Sequence, residues 1–129
     1  MKIKLLILGL IISMTSCSPR IVNTWNIDKY KVTNDKGKSM TSENIGTITF
    51  KKNGKGEKKL NYNLFQNDYS DTSPFEWNMY NDYIVLKTSN KDKDSNLNKT
   101  WIIVEDSSKK QVWKSTDGEN MVQILELSR

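Results

Sequence analysis

An all-β fold is predicted for this chain of 129 residues, as an eight-stranded antiparallel up-and-down barrel. Three observations predict it. β-Branched and aromatic residues fall in short runs that repeat at period two, the period of a strand with one buried face. Tight-turn residues punctuate those runs, at Asn53-Gly54-Lys55-Gly56, Asn81-Asp82, Asp106-Ser107-Ser108-Lys109 and Asp117-Gly118. No helical crossover long enough to join parallel strands lies between them. A meander of eight such strands closes into a barrel because closure removes exposed edges. A two-sheet sandwich is the alternative.

The strands are expected at residues 21–32, 45–51, 57–64, 75–80, 83–88, 100–105, 111–115 and 121–127. The first has apolar residues whose phase shifts between Ile27 and Tyr30, the mark of a bulge or bend. Ile45 to Lys51 alternates and leads into the Asn53-Gly54 turn. Beyond it Leu60, Tyr62 and Leu64 share one face. Phe75, Trp77 and Met79 recur at period two. Tyr83-Ile84-Val85-Leu86 and Trp101-Ile102-Ile103-Val104 are apolar on both faces. Val112-Trp113 forms a short strand, and Met121 to Leu127 closes the chain. Residues 33–44, 66–73 and 89–99 are read as polar connections, with Ser89 to Asn96 expected to be mobile.

Ahead of these strands lies a leader. Lys2 and Lys4 precede an apolar run from Leu5 to Ile12, and small residues then precede Cys17, the only cysteine. Charge, apolar stretch and small residues in that order make an export signal. The run from Leu5 to Met14 is about half the ~20 residues a bilayer-spanning helix needs, so a membrane-crossing anchor is disfavoured. Met14-Thr15-Ser16-Cys17 resembles the lipobox of bacterial lipoproteins, with Met14 where leucine is commonest. The resemblance implies cleavage before Cys17 and lipidation of its thiol. Secretion with a free thiol is the alternative. Residues 1–16 are then the signal peptide, 17–20 the anchor and tether, and 21–129 the barrel. Ser18 stands where the inner-membrane retention signal of enteric lipoproteins places aspartate. No acidic cluster of the surface-export kind follows. The resemblance therefore implies the bacterial cell envelope, at the outer membrane and facing the periplasm. Intact mass tests it: a mature chain with unmodified Cys17 would rule lipidation out.

Cleavage leaves 113 residues and lowers the formal charge from +5 to +3, since Lys2 and Lys4 leave with the leader. That length suits one domain, a monomer able to bury a core without disulfides. So small a charge gives no argument for nucleic acid. The chain has no histidine, which removes imidazole bases, histidine triads and nearly all zinc sites. With Cys17 spent on the anchor, thiol catalysis goes too. No enzyme, metal or cofactor is expected.

Several pattern matches have ordinary explanations. Asp92-Lys93-Asp94-Ser95-Asn96 starts like a calcium loop, but Leu97 and Ile103 stand where Gly and Glu are required. Ser107-Ser108-Lys109-Lys110 matches Ser-x-x-Lys by chance on a turn. Gly54-Lys55-Gly56 belongs to a hairpin, because no third glycine and no helix follow.

From residue 20 onward the chain resembles the lipocalin-like domains of bacterial lipoproteins. The residues that show it are Asn23-Thr24-Trp25, Gly46-Thr47-Ile48-Thr49-Phe50 with Asn53-Gly54-Lys55-Gly56, Pro74-Phe75-Glu76-Trp77, Lys99-Thr100-Trp101-Ile102-Ile103 and Leu125-Glu126-Leu127. The resemblance implies that Trp25 plugs one end of the barrel, with Asn23 in place of the family's glycine. It also implies that Arg129 stacks on Trp25 within ~6 Å. The opposing reading makes Trp25 ordinary core and Arg129 a frayed terminus. Phe50, Tyr62, Phe75, Trp77 and Trp101 would line a pocket for a small apolar or amphipathic ligand, or else fill the barrel completely. In the second case the outer face or the loops would bind another envelope protein.

Overall fold

The computed structural model describes residues 19–89, 95–116 and 121–129, and in them the chain is entirely β. The leader, Cys17, the Asp92 to Asp94 stretch and the Asp117-Gly118 turn lie outside these residues. Nine strands follow in chain order: β1 (Thr24–Thr33), β2 (Ser39–Phe50), β3 (Lys55–Leu64), β4 (Asn67–Asp71), β5 (Pro74–Met79), β6 (Tyr83–Thr88), β7 (Thr100–Asp106), β8 (Lys110–Thr116) and β9 (Val122–Ser128). Eight of them form a closed antiparallel ring, β2-β1-β9-β8-β7-β6-β5-β3, sealed by the pairing of β3 with β2. The expected barrel is present.

The ninth strand, β4, corrects the reading of residues 66–73 as a loop. It pairs with β3 over Leu60–Leu64, while β5 pairs with β3 over Lys55–Glu57. β4 and β5 are therefore one long strand broken at Thr72 and Ser73. Nothing in Asn67-Asp68-Tyr69-Ser70-Asp71 alternates between apolar and polar, because both faces of β4 are exposed or nearly so. Backbone pairing alone makes it a strand. The β3–β4 loop is only Phe65-Gln66, both at positive φ (49° and 69°), the backbone of a two-residue hairpin turn.

Residues 33–44 also differ from expectation. β1 runs to Thr33, a tight turn covers 34–38, and β2 begins at Ser39. Asn34 closes that turn by accepting the amides of Lys36 and Lys38 on its side chain. Between Ile27 and Lys29 the registers with β2 and with β9 both shift, where the apolar phase of β1 changes. Trp25 and Ile27 point inward before the shift, Tyr30 and Val32 after it. Opposite it, Gly46 at φ +139° lies against β3, and a Cβ there would sit 1.9 Å from the Lys59 carbonyl oxygen.

Strand direction divides the barrel into two ends. At the lower end lie residues 19–24, the turns 51–54, 80–82 and 107–109, and Arg129. At the upper end lie the turns 34–38 and 65–66 and the segment 95–99. Inward-facing side chains form one core from end to end.

Candidate functional site

The lower end is closed by side chains. Trp25 is fully buried and donates its indole N–H to the Ile21 carbonyl at 3.0 Å. The Arg129 guanidinium lies 5.3 Å from the centroid of the Trp25 ring, inside the ~6 Å range of a cation–π contact. Arg129 is held there by its backbone N–H on the Lys109 carbonyl and its Nε on the Ser108 carbonyl. The last residue is thus fastened to the β7–β8 turn. Gln111, also buried, accepts the Trp113 indole N–H and donates to Asp106 and the Ser107 carbonyl.

Above this plug lies an aromatic layer. Phe50 meets Phe75, Trp77 and Trp113 edge-on, with centroids 5.2, 5.7 and 5.8 Å apart. Trp101 follows at 6.4 Å from Trp113. Trp77 donates to the carbonyls of Lys51 and Lys55, binding the β2–β3 turn to β5. Gly56 is needed beneath Phe75, since a Cβ would fall 2.3 Å from the ring. Of the five aromatics expected to line a pocket, Phe50, Phe75, Trp77 and Trp101 belong to this layer. A ligand among them would have to displace their edge contacts.

Tyr62 is placed differently. It sits higher on β3, edge-on to Tyr30 at 5.4 Å and stacked on Tyr69 at 5.1 Å. It borders a surface depression with Asn61, Asp68, Tyr69 and Ser70. Its hydroxyl accepts from Asn96. Burial pushes the Tyr62 hydroxyl up to about 12; the Asn96 hydrogen bond opposes that, while Asp71 and Tyr69 add to it.

The upper half holds polar groups that no motif announced. Lys58, Ser115 and Gln123 are all buried. Gln123 accepts the Tyr30 hydroxyl at 2.8 Å. Ser115 donates to the Thr100 carbonyl. Lys58 points inward from β3 at the β4–β5 break, where its ammonium lies 3.0 Å from Asp71 Oδ2 and donates to Asn98 Oδ1 at 3.0 Å. Asp71 also accepts from Ser73 and Ser95. Burial alone would raise the Asp71 carboxyl, but hydrogen bonds from Ser73 and Ser95 and the Lys58 ammonium outweigh it and hold it below the ordinary value. The cluster works as a clamp. Through Ser95, Asn96 and Asn98 it fixes the end of the 89–99 connection across the gap between β4 and β6. The Leu97 carbonyl then accepts the Trp101 indole N–H. Residues 95 and 96, expected to be mobile, are thus held in place.

The signal for Lys58 was in the sequence: it lies two residues before Leu60 on the same face of β3. Lysine among apolar neighbours reads as a surface residue unless a partner is known, and Asp71 lay in the segment read as a loop.

An antiparallel ring of eight strands, a buried first-strand tryptophan at one end and a terminal arginine over its ring are now in place. The fold is a closed eight-stranded antiparallel barrel with the plug that the lipocalin-like resemblance implies. A comparison with family models finds no match, and one with curated proteins finds none either. Among solved structures the barrel is similar to a lipocalin-like protein from Bacteroides uniformis ATCC 8492, at 15% identity and a TM-score of 0.48, covering 82% of this chain and 96% of that one.

Proposed function

We propose that this lipocalin-like barrel is a non-catalytic binding module, held at the bacterial envelope by lipid on Cys17, that takes a small amphipathic molecule at its upper end. The observation behind this reading is the grading of the interior. The lower end is plugged by Trp25 and Arg129 and floored by interlocked aromatics. The upper half combines apolar Val32 and Leu64 with the polar groups of Tyr30, Tyr62, Ser115 and Gln123. An amphipathic molecule matches that pairing, with its apolar part toward the floor and its polar part among the upper side chains. Native mass spectrometry of the purified chain tests the reading. A retained lipid-like mass is expected; a bare chain under gentle conditions would count against it.

The second reading is a filled barrel that binds an envelope protein on its outer wall. Ile102 and Val104 favour it, being 54% and 63% exposed on the outer face of β7. A partner captured by cross-linking at Val104 and lost in Val104→Lys would favour this reading over the first.

A further inference from the structure

The lower rim combines two features that the barrel's closure does not use. Tyr80 and Tyr83 flank the β5–β6 turn with their rings stacked at 4.6 Å, yet 50% and 39% exposed. Around the same rim, the turns 51–54 and 107–109 and the strand starts that follow them expose Lys51, Lys55, Lys109 and Lys110, and Arg20 stands beside them at the start of the described chain. Lys51 pairs with Glu57 at 3.0 Å and Arg20 faces Asp106 at 3.9 Å. Among the described residues no ion pair holds Lys55, Lys109 or Lys110.

What this rim faces follows from the length of the tether. Cys17 precedes Pro19 by two residues, and an extended chain spans at most ~3.6 Å per residue. A lipid on Cys17 therefore holds Pro19, where the described chain enters the lower end, within about 10 Å of the membrane surface, and the lower rim is the end of the barrel nearest to it. Exposed tyrosines suit the headgroup region, where an aromatic body and a polar hydroxyl are both satisfied. Lysines suit anionic headgroups within a screening length.

We propose that the lower rim is a docking face for the anionic lipid surface to which the chain is tethered. Tyr80 and Tyr83 enter the headgroup layer, and Lys55, Lys109 and Lys110 face the lipid charges. The barrel then stands with its closed end on the membrane and its upper end away from it. The tether rests on the lipidation of Cys17 argued above, whereas the docking face can be tested apart from it.

The test is hydrogen exchange on the full mature chain in vesicles of phosphatidylcholine, with and without about one-third phosphatidylglycerol. Slowing of about threefold or more is expected in the turns 51–54, 80–83 and 107–110 on the anionic vesicles alone. It should vanish near 1 M salt, where the screening length falls to ~3 Å. The turns 34–38 and 65–66 should not change. The exposed-site variants Lys55→Gln/Lys109→Gln/Lys110→Gln and Tyr80→Ser/Tyr83→Ser should each weaken the protection. Equal exchange on both vesicles, protection of the upper turns, or full protection in the lysine variant would overturn the proposal. Intact mass is read on the same sample. If Cys17 carries no lipid, the tether fails and docking is read instead by co-sedimentation with the same vesicles. Salt-sensitive binding to the anionic vesicles then upholds the docking face, and no binding overturns it.

Discussion

Gly46 shows how a single residue sets the approach of two strands. Its φ of +139° and the 1.9 Å that would separate a Cβ from the Lys59 carbonyl leave no room for a side chain. Gly46→Ala must part β2 from β3 or bend both, and a loss of about 2 kcal/mol or more is expected in denaturant unfolding. An unchanged midpoint would show that the ring does not close as described. Asp71 makes the parallel case for charge. Asp71→Asn leaves the buried Lys58 ammonium without its carboxylate, and the expected cost is about 3 kcal/mol. The sign of the pH effect follows from the lowered carboxyl. An Asp held below its unfolded value of ~3.9 contributes its full stabilisation above that pH. The contribution is lost as pH falls through the lower folded value. Acid unfolding of the parent should therefore be steeper below pH ~4 than that of Asp71→Asn.

Among the elements, the β3–β4 hairpin departs furthest from its sequence. Phe65 and Gln66 hold positive φ, which asparagine and glycine adopt far more readily. Phe65-Gln66→Asn-Gly should raise stability by about 1 kcal/mol, read as a rise in the thermal midpoint. A fall would mean that the exposed Phe65 side chain supports the turn in some other way. The same hairpin shows what the sequence made legible. Strands with an alternating apolar face, such as β3 and β5, were readable within a residue or two. So was the bulge in β1, because a one-residue slip moves the whole apolar set to the other face. β4 and the first half of β2 were not. Ser39 to Asn44 and Asn67 to Asp71 each carry a single large apolar or aromatic residue, Met40 and Tyr69, so no alternation shows, and neighbouring backbones make them strands. The paired aromatics were legible as inward-facing, but whether they enclose space or fill it depends on ring-to-ring distances that periodicity does not encode. The Lys58–Asp71 clamp was hidden for a related reason, since it joins two residues whose elements had to be placed first.

At the scale of the whole molecule the barrel is polarised. Trp25, Arg129 and the aromatic layer close one end, where buried Gln111 serves the β7–β8 turn, and the other buried polar residues, Lys58, Ser115 and Gln123, lie above that layer. Arg129→Ala should cost about 0.5–1 kcal/mol through the lost cation–π contact, and it should leave binding at the upper end unchanged. Within the proposed reading, the closed end is also the tethered end, so a ligand reaches the barrel from the side away from the membrane. The most direct measurement is a titration of the isotope-labelled chain with laurate, followed by amide chemical shifts. Shifts gathered at Val32, Tyr62, Leu64, Ser115 and Gln123, with Thr24 and Arg129 unmoved, are the predicted result. Shifts centred on the Trp25 end, or no saturable shifts from laurate at all, would contradict a barrel that receives an amphipathic molecule at its upper end.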